Sequence, residues 1–142
     1  MRGVALMVLF LSLNFISCTC KKEASAKVSL EGTWQLEYIT GPKIAFDALY
    51  PSAKPTIVFD VANNKFAGNN SCNQYFGGLI LDGNKIDFKE AKMGMTMKAC
   101  PGNGESTYMD ILQKIETYSI TDKGKILKLF VGNIEMMRFV HQ

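Results

Sequence analysis

Short stretches in which apolar and polar residues alternate, each closed by a turn signal, recur along most of this chain and direct it towards an antiparallel β architecture. In LEGTWQLEYI, residues 30–39, Leu30, Trp34, Leu36 and Tyr38 share one side while Glu31, Thr33, Gln35 and Glu37 share the other. Such alternation is what a strand with one face in a core requires. TIVFDV alternates again and runs into Asn63-Asn64, residues that accept the positive φ of a hairpin turn, so KFAGN is the predicted return strand. QYFGGLIL meets a second turn signal at Asp82-Gly83-Asn84, and KIDF returns with Ile86 and Phe88 on a common face. Residues 42–55 show no period and contain Pro51, which predicts a loop.

The pattern changes once. After Pro101, GESTYMDILQKIE sets Tyr108, Ile111, Leu112 and Ile115 at the i, i+3, i+4, i+7 spacing of an amphipathic helix. TYSIT, KILKLFV and IEMMRFV then supply the last strands, divided by turns at Asp122-Lys123-Gly124 and Gly132-Asn133. Seven or eight short strands with one late helix predict an α+β fold, mainly antiparallel β: a partly open, barrel-like sheet with one helix packed against it. A chain of 142 residues supports one such domain.

The segment ahead of the alternation has a different role. Arg2 precedes an apolar run from Val4 to Ile16, shorter than the roughly 20 residues of a membrane-spanning helix. Ser17-Cys18 follows, a small residue and a cysteine at the end of the run, which resembles the bacterial lipoprotein lipobox. The expected organisation is a signal peptide over 1–17, a lipidated Cys18 and tether over 18–29, and a folded domain over 30–142. Ala24-Ser25-Ala26 offers an alternative site for ordinary signal cleavage. Both routes export the domain, to a lipid anchor in the bacterial cell envelope, most simply its outer membrane, or otherwise to a secreted or periplasmic location. The expected partners are the membrane, through the anchor, and a protein of the envelope. A net charge of +3, spread along the chain, gives no basic stripe for nucleic acid.

Machinery for catalysis is sparse. The single histidine, His141, stands beside the C-terminus on what reads as a fraying end, and no nucleophile elbow, zinc-protease motif, phosphate loop or dinucleotide fingerprint occurs. No enzyme activity and no cofactor are expected. Cys72 and Cys100 are the cysteines of the folded region, and in an exported domain the pair reads first as a disulfide. Two other readings remain open at this point: a reactive thiol at Cys100, with Lys98 and a helix start nearby, or a metal site. Met93, Met95 and Met97 alternate towards Cys100 and would suit Cu(I), although period-two methionines also fill a core. Trp34 reads as a plug closing one end of the core, with a lipocalin-like ligand cavity as the alternative. Asn69, Asn70, Asn73 and Gln74 form an exposed polar patch that could bind something.

Taken in order, the G-T-W opening, the F-x-G-x-x-x-C-N-x-Y-x-G centre from Phe66 to Gly77, and M-T-x-x-A-C followed by Glu105 resemble the META domain family, the HslJ-like heat-shock-associated lipoproteins. The resemblance spans about residues 30–140. It implies a small α+β, barrel-like module, usually on an envelope lipoprotein and associated with stress response, and it supplies no catalytic residue. Asn70-Ser71 ahead of Cys72 and Lys98 depart from the family pattern without touching the cysteines. The expected function is that of a nonenzymatic envelope lipoprotein acting in stress response or envelope integrity through protein contacts. The alternatives are a periplasmic binder of a small apolar ligand or Cu(I), and an inhibitor of an exported protease.

Overall fold

A computed structural model describes residues 28–142; the expected signal peptide, Cys18 and most of the tether lie outside them. The alternating stretches become ten strands: β1 (Gly32–Ile39), β2 (Thr56–Asp60), β3 (Lys65–Asn69), β4 (Gln74–Gly78), β5 (Ile80–Asp82), β6 (Lys85–Asp87), β7 (Gly94–Met95), β8 (Thr117–Thr121), β9 (Ile126–Val131) and β10 (Ile134–His141). They join in one antiparallel sheet of order β5-β6-β8-β9-β10-β1-β2-β3-β4-β7. Two helices interrupt it, α1 (Phe46–Leu49) and α2 (Gly104–Leu112).

Connectivity accounts for the curl. Only Leu79 separates β4 from β5, yet these strands lie near opposite ends of the sheet order. A sheet whose two ends belong to one continuous stretch of chain has to bend round on itself, and the result is a half-barrel. At the joint Leu79 leaves the ladder, its N–H donating to Asn64 O at 2.8 Å and its side chain buried. QYFGGLIL is therefore two strands rather than one, which accounts for part of the difference between ten strands and the seven or eight expected.

The concave face carries the core. Trp34, Leu36, Ile57, Phe59, Phe66, Tyr75, Leu127, Leu129, Met137 and Phe139 point inward from the sheet. Over them lies α2, which buries Tyr108, Ile111 and Leu112 and ends there, short of the predicted stripe's last member, so Ile115 is buried from the segment just beyond the helix. Removing each such side chain from water contributes about 1.5–3 kcal/mol. Trp34 is the expected plug: it is wholly buried, its Nε1 donates to Leu30 O at 2.8 Å, and the His141 ring meets it edge-on at 4.7 Å.

Three local expectations are corrected. Tyr38 does not join the inward row: the β1–β10 register shifts between Leu36 and Tyr38, so Glu37 is an extra residue, Tyr38 turns outward and Ile39 takes the buried place. The stretch 42–55 holds the one-turn helix α1, which buries Leu49 beside Tyr50. The C-terminus does not fray, since His141 pairs with Trp34 across β1–β10 and Gln142 N–H donates to Thr33 O at 2.9 Å.

Candidate functional site

The Cys72-Asn73 motif sits in the turn between β3 and β4, and the turn is built by side-chain amides. Asn69 Oδ1 accepts from Ser71 N–H at 2.8 Å, while Asn70 Oδ1 accepts from the N–H groups of Cys72 at 3.2 Å and Asn73 at 2.7 Å. These bonds hold Ser71 in the left-handed region at φ 88°. Asn70 Nδ2 contacts Met95 Sδ at 3.2 Å and Glu105 Oε1 at 3.4 Å.

Asn73 connects three segments. Its Oδ1 accepts from Lys98 N–H and Thr96 Oγ1–H, both at 2.8 Å. Its Nδ2 donates to Glu105 Oε1 at 2.8 Å and lies 3.1 Å from both Lys98 O and Cys100 Sγ. Glu105 stands in the first turn of α2, where the helix dipole favours a carboxylate. Beside this network Cys72 and Cys100 form a disulfide with their Cα atoms 6.0 Å apart. No thiol therefore stands at Cys100, and the reactive-cysteine reading falls. Cys72 Sγ, Cys100 Sγ and a Glu105 oxygen gather within 4.8 Å, but the two sulfurs are bonded to each other.

The proposed polar patch is corrected on the same ground. Asn70 and Asn73 are 0% and 1% exposed, respectively, so only Gln74 is fully exposed and Asn69 partly so. Each buried amide is retained because the chain itself satisfies it; among the described residues no buried side-chain nitrogen or oxygen lacks a partner. Nor do the methionines share one face. Strand geometry covers only Gly94–Met95; Met93 packs on the core, Met95 turns its sulfur to Asn70, and Met97 is 87% exposed. Core packing holds for Met93 alone, and no soft-ligand cluster forms from the three.

The rest of the motif closes on the same helix. Tyr75 donates to Thr56 O at 2.9 Å, and its oxygen lies 2.6 Å from Tyr108 Oη, so Tyr108 is the donor of that pair. Burial raises both phenols above the ordinary tyrosine value, and Tyr50, donating to Gly104 O at 3.3 Å, is raised for the same reason. Gly68 makes the Tyr75 bond feasible, because a Cβ there would lie 2.2 Å from Thr56 O and 2.5 Å from Tyr75 Oη. Sequence reasoning identified these positions but gave Tyr75, Tyr108 and Glu105 no joint role, since their pairing crosses about thirty residues.

Two surface grooves flank this interior. One, of about 1020 Å³, has Ile80, Ile86 and Ile115 in its floor and Lys85, Asp110 and Lys114 on its rim. The other, of about 720 Å³, lies on the convex face of β2, β3 and β4. Its floor is the cross-strand row Val58, Ala67 and Phe76, and Phe76 lies over Gly94.

The fold and the braced turn define a small half-barrel domain with a helix in its concavity and a disulfide joining the turn to the loop that leads into the helix. The sequence profile of the META domain matches residues 27–142, and the chain belongs to that family. Solved structures share the fold. A protein from Burkholderia xenovorans, determined by NMR, superposes with a TM-score of 0.63 at 19% identity, covering 100% of this chain and 97% of that one. A second NMR structure gives 0.58 at 16% identity, with 78% and 89% covered. A crystal structure of a DUF4847 family protein from Bacteroides vulgatus gives 0.52 at 15% identity, with 79% and 93% covered. No curated protein matches the chain.

Proposed function

We propose that this chain is a nonenzymatic, lipid-anchored META-domain protein of the bacterial envelope, supporting the envelope under stress by contact rather than by turnover. One observation carries the reading: the two amides that flank Cys72 in the turn, Asn70 and Asn73, face inward and are consumed by their own chain. Asn70 and Asn73 spend their amides on the turn, the loop before α2 and Glu105. The two cysteines are joined, and the buried phenols are held in their neutral form. Such a turn holds a shape. The Ser17-Cys18 junction after the apolar run supplies the anchor in this reading.

Expression of the full chain in a bacterium, followed by mass analysis of the membrane fraction, tests it. The expected product begins at Cys18 and carries acyl chains, and Cys18→Ala abolishes the acylated form. A mature chain beginning at Lys27 in the soluble periplasm overturns the anchor. Deleting the chain and challenging the cells with heat tests the stress role, and survival equal to the parent overturns it.

A further inference from the structure

We infer that the convex face of β2, β3 and β4 rests on an anionic phospholipid surface, with Phe76 and Val58 at the boundary between headgroups and acyl chains and with Lys65 and Lys92 on lipid phosphates. The inference rests on the anchored reading above for where the bilayer is. Which face meets it follows from the domain itself.

The fold does not require this apolar row. Inward positions of the three strands already supply Ile57, Phe59, Phe66 and Tyr75 to the core, whereas Phe76 is 61% and Val58 is 38% exposed on the opposite face. Isolated exposed apolar side chains are ordinary, but here Val58, Ala67 and Phe76 stand in register across three strands as the floor of one groove. Lys65 and Lys92 line the groove, both exposed. The one acid there, Asp60, accepts from Asn63 N–H and Nδ2 and is held below the usual carboxylate range, first by that side-chain bond. The groove thus carries one net positive charge. An aromatic side chain flanked by lysines, whose stems cover apolar surface while their ammonium groups reach phosphate, is the composition of a membrane-interface contact.

The chain also enters the domain beside the end of β2 that borders this face. Glu31, at the start of the fold, accepts from Val61 N–H at 2.8 Å, and Val61 follows Asp60 at the rim of the groove. From Cys18 to Val28 the backbone reaches at most about 35 Å even when fully extended. An anchor at Cys18 therefore keeps this end of the barrel beside the bilayer at an effective concentration of order millimolar, so a contact too weak to recruit a free domain suffices to orient a tethered one.

The test imposes the tether. Residues 27–142, which contain every described element and the disulfide, are attached through an N-terminal His-tag to nickel-lipid vesicles, so the chemistry of Cys18 plays no part. In Phe76→Trp the new indole reports the face, and Trp34, wholly buried, gives a constant background. With 30 mol% phosphatidylglycerol, brominated acyl chains are expected to quench the new indole at least about twofold while iodide in the buffer loses access to it. Lys65→Glu with Lys92→Glu is expected to return both readings to those on phosphatidylcholine alone. An indole as open to iodide on the anionic vesicle as off it, in a chain whose circular dichroism is native, overturns the inference. Quenching that ignores the lysine substitutions overturns it too, and shielding in solution that grows with protein concentration assigns the face to a second copy. Quenching on vesicles together with an unacylated Cys18 in cells would overturn the anchor and leave the lipid-binding face standing.

Discussion

The side-chain amide of Asn73 donates to Glu105 Oε1 at 2.8 Å, a bond that joins the turn after β3 to the first turn of α2 across 32 residues. Asn73 also accepts from Lys98 N–H and Thr96 Oγ1–H, so its loss removes partners from part-buried groups in the loop before α2 and in the helix's first turn at once. Asn73→Ala is expected to lower unfolding free energy by about 3 kcal/mol, and Glu105→Ala by about 1–2 kcal/mol because the amide keeps Lys98 O. Denaturant unfolding of the two single variants and the double variant should return a coupling of about 1 kcal/mol or more. A cost below about 1 kcal/mol for Asn73→Ala would remove the residue from its place as the hub.

The disulfide acts on the unfolded chain. Closing a loop of separation 28 contributes about 3.5 kcal/mol in the chain-entropy account. The Cys72→Ser, Cys100→Ser double variant should lose that amount, and the parent protein in excess dithiol should unfold at the midpoint of the variant. A reduced parent that stays well above the variant would mean that the serines, not the missing bond, cause the loss.

The buried phenols differ in what their removal leaves behind. Tyr108→Phe leaves Tyr75 donating to Thr56 O and is expected to cost about 1 kcal/mol; Tyr75→Phe leaves both Thr56 O and Tyr108 Oη without their partner and should cost about 2–3 kcal/mol. The order of the two midpoints is the test. Their raised ionisation also sets an alkaline limit. Unfolded phenols lose protons first as pH passes the ordinary value near 10, so the folded state holds more protons. The stability these buried phenols contribute is thus complete below about pH 10 and falls above it. Following phenolate absorbance, Tyr50, Tyr75 and Tyr108, three of the five tyrosines, should ionise only as the protein unfolds.

Local chemistry made much of this fold legible in the sequence. Asn64 adopts φ 51° and Gly83 φ 60° in the two hairpin turns that their residue types announced, and Tyr108, Ile111 and Leu112 are buried along α2 as their spacing requires. The paired cysteines follow from their number, two in the folded region. What stayed hidden depends on partners distant in sequence. Asn70 and Asn73 read as exposed because an amide is costly to bury, and much of that cost is repaid by Glu105, Thr96 and Lys98, 23 to 35 residues away. The extra residue at Glu37 turns Tyr38 outward through pairing with β10, a relation no window around β1 contains. Met97 kept the strand period in sequence but lost the strand, because β7 ends at Met95.

Gly68 in β3 and Gly78 in β4 offer a comparison of space rather than of hydrogen bonding. At Gly68 a Cβ would lie 2.2 Å from Thr56 O and 2.5 Å from Tyr75 Oη, so alanine there has to push β2 away or break the bond that seats Tyr75. At Gly78, on the exposed side of β4, the nearest atom to a Cβ is Ala91 O at 3.8 Å, an ordinary contact. Gly68→Ala is expected to cost about 2–4 kcal/mol, as overpacking and a lost buried bond together do, whereas Gly78→Ala should change stability by less than about 1 kcal/mol. Thermal and denaturant midpoints of the two variants measure the difference directly. Equal midpoints would mean that β2 and β3 separate easily at Thr56, and the Tyr75 to Thr56 bond would then contribute little to the fold.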